Sequence, residues 1–278
     1  NSHGFLAGYP GTRHGLSCVL IGRDDDGMQR DYWYDGSRDP SRLASPQQIG
    51  RRAGERTVAR LGARPIATGE MPVLFPPELA PSFIHHFLSA IAGGALYRRS
   101  SFLLDKLGQP VFPDWLSIEE QPRLPRGNGS AAFDADGLPT RDQFFVKDGV
   151  LAGYALGLYS ARKLGMAPTG NGSGTHNVFV RGNGGNFDTL LAQMGDGIVV
   201  TEMMGQGVNP VTGDYSRGAS GFAVRGGRIA HPVSGITIAG NLNDIFRDIV
   251  AVGDDADPRG NVHCGALLVR RLMVAAEG

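Results

Sequence analysis

The first clear pattern along the chain is "GLSCVLIGRDDDGMQRDYWYDG", two apolar and aromatic runs on either side of Asp24, Asp25, Asp26 and Gly27, which predicts a β-hairpin. The period then changes. In "SPQQIGRRAGERTVARLG" the apolar positions Ile49, Ala53 and Leu61 fall on one helical face while arginines fill the other, so the basic cluster reads as a solvated face. Ser45 is placed to cap this helix, Pro46 to open it, Gln48 to complete a capping box and Gly62 to stop it. A short strand over "MPVLF" and a proline-bounded turn lead into a second helix. Its wide apolar stripe of Phe83, Ile84, Phe87, Leu88 and Ile91 marks it as central to the fold.

Proline and glycine then crowd "LGQPVFPDWLSIEEQPRLPRGNGSAAFDADGLPT", which reads as loops and short strands, with Phe112, Trp115 and Phe133 arguing for packing. "FFVKDGVLAGYALG" predicts two strands joined through Lys147, Asp148 and Gly149, and "LYSARKLG" a helical turn. Further on, "THNVFVRG", "GIVVTEM", "SGFAVRGGRIAHPV" and "GITIAG" are strand candidates, the third folding at Gly226 and Gly227. Asn241 caps "NLNDIFRDIVAVG", where Leu242, Ile245, Phe246 and Ile249 recur at helical spacing, and "HCGALLVRRLMVAA" closes the chain as a strand. The sum is an α+β domain: mostly antiparallel strands in a strongly wrapped or barrel-like sheet, with about three packed helices.

Composition sharpens this picture at four points. A chain of 278 residues can bury a core without disulfide staples, and Cys18 and Cys264 have no flanking cues for reactivity. Glycine, at 42 residues with no Gly-X-Y period, predicts many tight turns. Lysine plus arginine matches aspartate plus glutamate at 27 each, which leaves no electrostatic case for direct nucleic-acid binding. The sequence has no secretory leader and no apolar run long enough to span a bilayer, so a cytoplasmic protein without a membrane partner is the expectation. The opening "NSHGFLAGYPGTRHGL" lacks an initiator methionine and already alternates like a strand, which suggests a start inside a longer protein.

His85 and His86 stand side by side on the second helix, and paired histidines raise the question of a metal. Adjacent helical residues point about 100° apart, so this pair is poorly placed to clamp one ion. An H-E-x-x-H zinc site would need a glutamate where His86 stands, and no histidine follows before His176. The chain has no G-x-S-x-G elbow. "TGNGSGTHN" lacks the Lys-Ser/Thr ending of a phosphate loop, and "GNGGNFDTLLAQMG" misses the dinucleotide fingerprint, so both read as turns. The acidic run Asp24–Asp26 lacks the late glutamate of a calcium loop and reads as a solvated turn. More distinctive is "GQGVNPVTGDYSRGASGF", residues 205–222, where Gln206, Asn209, Thr212, Asp214, Tyr215, Ser216 and Arg217 crowd between two strands. Two readings stay open there: an ordered loop held by its own hydrogen bonds, or the wall of a peptide cleft.

That segment, with "ITIAGNLNDIFRDIVAVGDD", "YSARKLGM", "GALYRRSSFLLDKLGQ" and "TRHGLSCVLIG", closely resembles the TldD/PmbA family on the PmbA (TldE) side, in order and over essentially the entire chain. The resemblance implies residues 1–278 form a domain of the family's C-terminal type, with about the first 65 residues readable as the end of the preceding region. The family's N-terminal domain is then absent from this sequence. It further implies a two-part metalloprotease system, in which TldD-type chains carry an H-E-x-x-x-H zinc helix and PmbA-type chains pair with them around a chamber that cleaves unfolded peptides.

Aligned on "LYRRSSF", the zinc helix places its first histidine at His85, its glutamate at His86 and its second histidine at Ala90. The family's cysteine ligand has no clear counterpart in Cys264. The expectation is therefore a subunit with no catalytic residue, metal or cofactor of its own, zinc residing in a TldD-type partner. It would form a heterodimer with that partner, or a homodimer when alone. His85, His86, His176, Asn177, Gln206, Asn209, Thr212, Tyr215 and Arg217 are its candidate peptide- or partner-binding residues. Two rivals accompany this reading: a self-sufficient peptidase in which His85, His86 or His176 converge on a metal, and a regulatory scaffold in a gyrase-toxin system, suggested by the family's other name, modulator of DNA gyrase.

Overall fold

The computed structural model describes residues 1–25 and 27–276; Asp26, expected to help turn the first hairpin, lies outside them. The chain opens with β1 (His14–Asp24), β2 (Gly27–Ser37), α1 (Pro46–Ala59), β3 (Gly69–Phe75), α2 (Pro81–Ala90) and α3 (Gly93–Tyr97). It continues with β4 (Ser117–Glu120), β5 (Gln143–Lys147), β6 (Val150–Leu151), α4 (Leu158–Leu164), β7 (Val178–Arg181) and α5 (Phe187–Met194). The last third holds β8 (Gly197–Met204), β9 (Asp214–Arg225), β10 (Arg228–Asn241), α6 (Leu242–Arg247), β11 (Ile249–Val252), β12 (Val262–His263) and β13 (Leu267–Ala276).

Five of these strands close on themselves. The order is β10-β9-β8-β3-β13, and β13 pairs again with β10 through Ile236↔Ala276 to Ala239↔Met273, so the ring has no free edge. Its neighbours are antiparallel except β3 and β8, which run parallel at Val73↔Ile198. A second sheet, β12-β7-β4-β5-β6, lies beside the barrel, and β1 with β2 forms a separate hairpin. The α+β, barrel-like expectation holds. Six α-helices are present among the described residues, including the short α3 and an α5 within "GNGGNFDTLLAQMG", a stretch expected only to turn. Asn186 starts α5 by accepting a hydrogen bond from the Thr189 amide (3.0 Å), a cap signal obscured by the surrounding glycines.

Alternate residues of the barrel strands serve two cores. Val73, Phe75, Ile198, Val200, Leu267 and Val269 join the main core with the α2 stripe, while their neighbours Leu74, Val199 and Leu268 pack with Leu190, Leu191 and Met194 of α5. All five predicted stripe residues of α2 are at most 6% exposed. The capping box of α1 forms as expected, Ser45 Oγ accepting from the Gln48 amide and Gln48 Oε1 from the Ser45 amide. Its buried stripe is Ile49, Ala53 and Thr57, because the helix ends before Leu61.

The arginine face of α1 needs correction. Arg51 and Arg52 are exposed, but Arg56 and Arg60 turn inward to an ion network that ties residues 1–61 to the barrel region. Arg56 pairs with Asp31 (3.3 Å) and Glu78 (2.8 Å), and Arg60 with Glu202 (2.5 Å) and Asp31 (3.7 Å). Arg259 adds a second tie, its guanidinium lying 4.2 Å from the Trp33 ring centre and 4.3 Å from that of Tyr34. Among the described residues no helix is long and apolar enough to cross a membrane.

Candidate functional site

A groove of about 450 Å³ opens where α2, α3 and α4 meet the loop between α4 and β7, and it takes in His85, Tyr97, Tyr159, Gly172, Gly174 and Thr175. Two of its glycines face inward onto neighbouring side chains. A methyl group on Gly93 would sit 2.2 Å from Ser160 Oγ, and one on Gly172 would sit 2.5 Å from Asp136 Oδ2. Side chains at these positions would push the helices and the loop apart. Tyr97 and Tyr159 meet edge to face at 5.5 Å on the rim.

The loop owes its shape to a buried polar core beneath it. Glu120, at 1% exposure, accepts from the His176 amide (2.6 Å) and His176 Nδ1 (3.1 Å). It also accepts from Asn171 Nδ2 (3.1 Å) and Gln143 Nε2 (2.7 Å). Because the partner of Nδ1 is a carboxylate, Nδ1 carries the proton. Asp134 Oδ2 accepts from the Gly172 amide (2.8 Å) and Asp136 Oδ2 from the Leu158 amide (2.7 Å), which fixes the loop to the start of α4. Asn177 is fully buried; its Oδ1 accepts from the Gly129 amide and its Nδ2 donates to Gln121 O and Ser130 Oγ. His176 and Asn177 thus lie under the loop instead of facing the groove as expected.

The two helix histidines part company. His85 is exposed in the groove, while His86 turns toward the barrel, its ring edge on to Tyr215 at 5.8 Å. Crowding by its neighbours lowers the His85 pKa against the pull of the Pro81 carbonyl. That of His86 is lowered by burial first, then by the positive charges of Arg217 and His85. Burial pushes the Tyr215 hydroxyl up, and this hydroxyl donates to Met203 Sδ (2.8 Å). Arg217 Nε donates to Met204 O (3.4 Å).

Gln206, Asn209 and Thr212 are exposed at the β8–β9 connection. That connection is shorter than the 205–222 segment suggested, because β9 already starts at Asp214. Asn209 Oδ1 accepts from the Val211 amide (2.9 Å) and Thr212 Oγ1 donates to Asp214 Oδ2 (2.6 Å), so the turn is held by its own side chains. The structure therefore joins His86, Tyr215 and Arg217 in one cluster and His85 with the 171–175 loop in another. His85, His86 and His176 do not converge, and among the described residues no three His, Cys, Asp or Glu side chains are grouped to hold a metal. Cys264 is buried, with its thiol pKa raised by that burial and by Asp255.

Glu120, Asp134, Asp136, Tyr97 and Tyr159 are groove-building residues that sequence reasoning missed. The Asp-x-Asp-Gly of "FDADG" carried a legible sign, a run typical of side-chain-capped turns.

Residues 68–276 match the PmbA/TldA metallopeptidase C-terminal domain, and residues 1–61 match the central domain of the same family. The chain belongs to the PmbA/TldD family. It is 48% identical over 277 residues to the metalloprotease PmbA of Escherichia coli O157:H7, which covers 100% of this chain and 62% of that protein. It spans the same 62% of the PmbA homolog of Haemophilus influenzae, at 47% identity. Among solved structures, a protein from Bacteroides thetaiotaomicron described as a modulator of DNA gyrase superposes with a TM-score of 0.94 at 29% identity, over 99% of this chain and 63% of that one. TldE from Thermococcus kodakarensis has the same fold, with a TM-score of 0.83 at 20% identity over 95% of this chain and 63% of that one.

Proposed function

We propose that this chain is the PmbA/TldE-type subunit of a two-part metalloprotease, binding unfolded peptide during maturation or degradation while a TldD-type partner supplies the zinc. The observation that carries this reading is the divergence on α2. His85 lies in the groove, His86 leans on Tyr215, and Ala90, where a second zinc-binding histidine would stand, is 3% exposed within the core. These residues do not suit a zinc ion, which needs three protein ligands converging on one point and, for hydrolysis, an open fourth position.

The groove's own chemistry suits an extended peptide. Gly174, with open space where a side chain would stand, lets a chain approach the loop backbone closely, and the tyrosine pair offers ring faces to side chains of any sequence. A neutral His85 adds a hydrogen-bonding group without a charge to discriminate among substrates. The test uses the full-length protein, alone and mixed with a TldD-type subunit, measuring bound zinc and cleavage of an unfolded peptide. Zinc and turnover that require the partner agree with the proposal. Tightly held zinc with turnover by this protein alone would overturn it.

A further inference from the structure

The interior of the groove is indifferent to sequence, but its rim carries charge. Residues 93–104 and 157–167, which hold α3 and α4, include Arg98, Arg99, Arg162 and Lys163 and no acidic residue, although basic and acidic residues balance over the whole chain. All four are exposed, and none is paired with a carboxylate among the described residues. Arg98, Arg162 and Lys163 sit at the C-terminal ends of their helices, where backbone carbonyls favour cations. That accounts for basic residues at these positions, but not for where two of their side chains go.

Arg98 folds back over the Tyr97 ring, 5.2 Å from its centre, and Lys163 lies over the Tyr159 ring at 5.6 Å. These are the two rings that meet on the groove rim at 5.5 Å. Arg98 also reaches the wall itself, since a methyl group on the lining residue Gly94 would stand 3.4 Å from its Nη2. Two cations therefore flank two rings along one side of the groove. Their donors are largely unused. Nη1 of Arg98 donates to the Tyr97 hydroxyl (3.1 Å), but its other N–H groups and the Lys163 ammonium have no hydrogen-bond partner among the described residues. Asp136 is the one acidic residue lining the groove among the described residues, and its Oδ2 is turned to the Leu158 amide (2.7 Å). A rim of this kind draws in negative charge.

We propose that the groove prefers peptides that carry carboxylates, with Arg98 and Lys163 as the residues that set this specificity. The inference rests on the groove being a peptide site and adds a substrate class to it. A glutamate or aspartate side chain and a free peptide C-terminus supply the same group, and the experiment separates them.

Fluorescence anisotropy of labelled unfolded peptides, titrated with the full-length protein alone, is the test. The peptides share one scaffold: a glutamate version and a glutamine version, both with amidated C-termini, and the glutamine version with a free C-terminus. An exposed ion pair is worth about two- to five-fold in affinity, so two should favour a carboxylate peptide over the amidated glutamine peptide by about tenfold, fading in high salt. Preference for the glutamate peptide assigns the side chain, and preference for the free C-terminus assigns the terminus; either supports the proposal. Arg98→Gln with Lys163→Gln, both at exposed positions, should erase the preference. Arg51→Gln with Arg270→Gln, which removes the same charge from exposed positions on α1 and β13, should leave it intact. Equal affinity for all the peptides, or a preference that survives the Arg98 and Lys163 substitutions, would overturn this inference and leave the groove a peptide site. Failure to bind any of the peptides would overturn both. Tighter binding of a single-stranded oligonucleotide than of the carboxylate peptides, lost on the Arg98 and Lys163 substitutions, would overturn it by giving the rim to nucleic acid.

Discussion

Replacing Glu120 with alanine removes the acceptor on which the groove loop is built. Four donors converge on that carboxylate, from the His176 amide, His176 Nδ1, Asn171 Nδ2 and Gln143 Nε2, and the site is 1% exposed. Leaving one buried donor unpaired costs about 1–3 kcal/mol, so four would set a ceiling of about 12 kcal/mol. Water entering the space vacated by the side chain recovers part of this, and Gln143 Nε2 keeps Asn171 Oδ1 as a second acceptor at 2.8 Å. The net loss should be roughly 4 kcal/mol, or about 7 °C in Tm for a chain of this size. Denaturant unfolding followed by circular dichroism measures it, and amide hydrogen exchange should accelerate most over residues 171–178. Glu120→Gln, which keeps the shape but presents a donor among donors, should lose roughly 1–2 kcal/mol. Glu119→Ala is the control: the neighbouring carboxylate pairs with Arg181, whose side chain is 57% exposed, and should cost under ~1 kcal/mol. If Glu120→Ala were no more damaging than Glu119→Ala, the account of the loop would be wrong.

Arg60→Ala should destabilise by roughly 3 kcal/mol in denaturant unfolding, because it leaves Glu202 and Asp31 half-compensated in a largely buried network. Gly221→Ala would put a Cβ 1.9 Å from the Val199 carbonyl oxygen between β8 and β9, and thermal scans should find a loss of at least about 3 kcal/mol. His86 has a folded pKa below the ordinary 6.5, so the unfolded chain binds the proton more tightly. Its contribution is complete above pH 6.5 and is lost as pH falls through the lowered folded value; His86→Phe should flatten that acid-side decline in a plot of unfolding free energy against pH.

What the sequence revealed follows the range of the forces involved. Local signals were legible: the capping box at Ser45 and Gln48, the Asp148-Gly149 and Gly226-Gly227 turns with both residues at positive φ, and the five-residue stripe of α2. Barrel closure was legible only as a class, since the pairing of β10 with β13 joins residues more than thirty positions apart and leaves no local mark. The candidate site fared less evenly. His85 reached the groove, but His176 and Asn177 were drawn beneath it by acceptors and donors at Glu120, Gly129 and Ser130, some fifty residues upstream. The arginines of α1 misled for the same reason. Nothing near Arg56 or Arg60 in sequence announces Glu78 or Glu202 as partners.

The helix that raises the metal question also explains why changing residues alone would not build a zinc site on it. Positions 85 and 90 are five apart, the spacing of the histidines in H-E-x-x-x-H. On a regular α-helix that is roughly 140° around the axis, so two histidines so placed can share an ion only where the helix departs from regular geometry. The regular arrangement is the one found: His85 exposed in the groove, and Ala90 in the core with its carbonyl accepting from Ser101 Oγ at 2.6 Å. A histidine at 90 would have to displace core side chains before its ring could reach the side where His85 stands. The double substitution His86→Glu with Ala90→His should therefore destabilise the protein and still fail to take zinc from a chromophoric chelator. Tight zinc binding by that variant would mean that α2 can unwind locally to bring the two positions together, and that the core around Ala90 yields more readily than its packing implies.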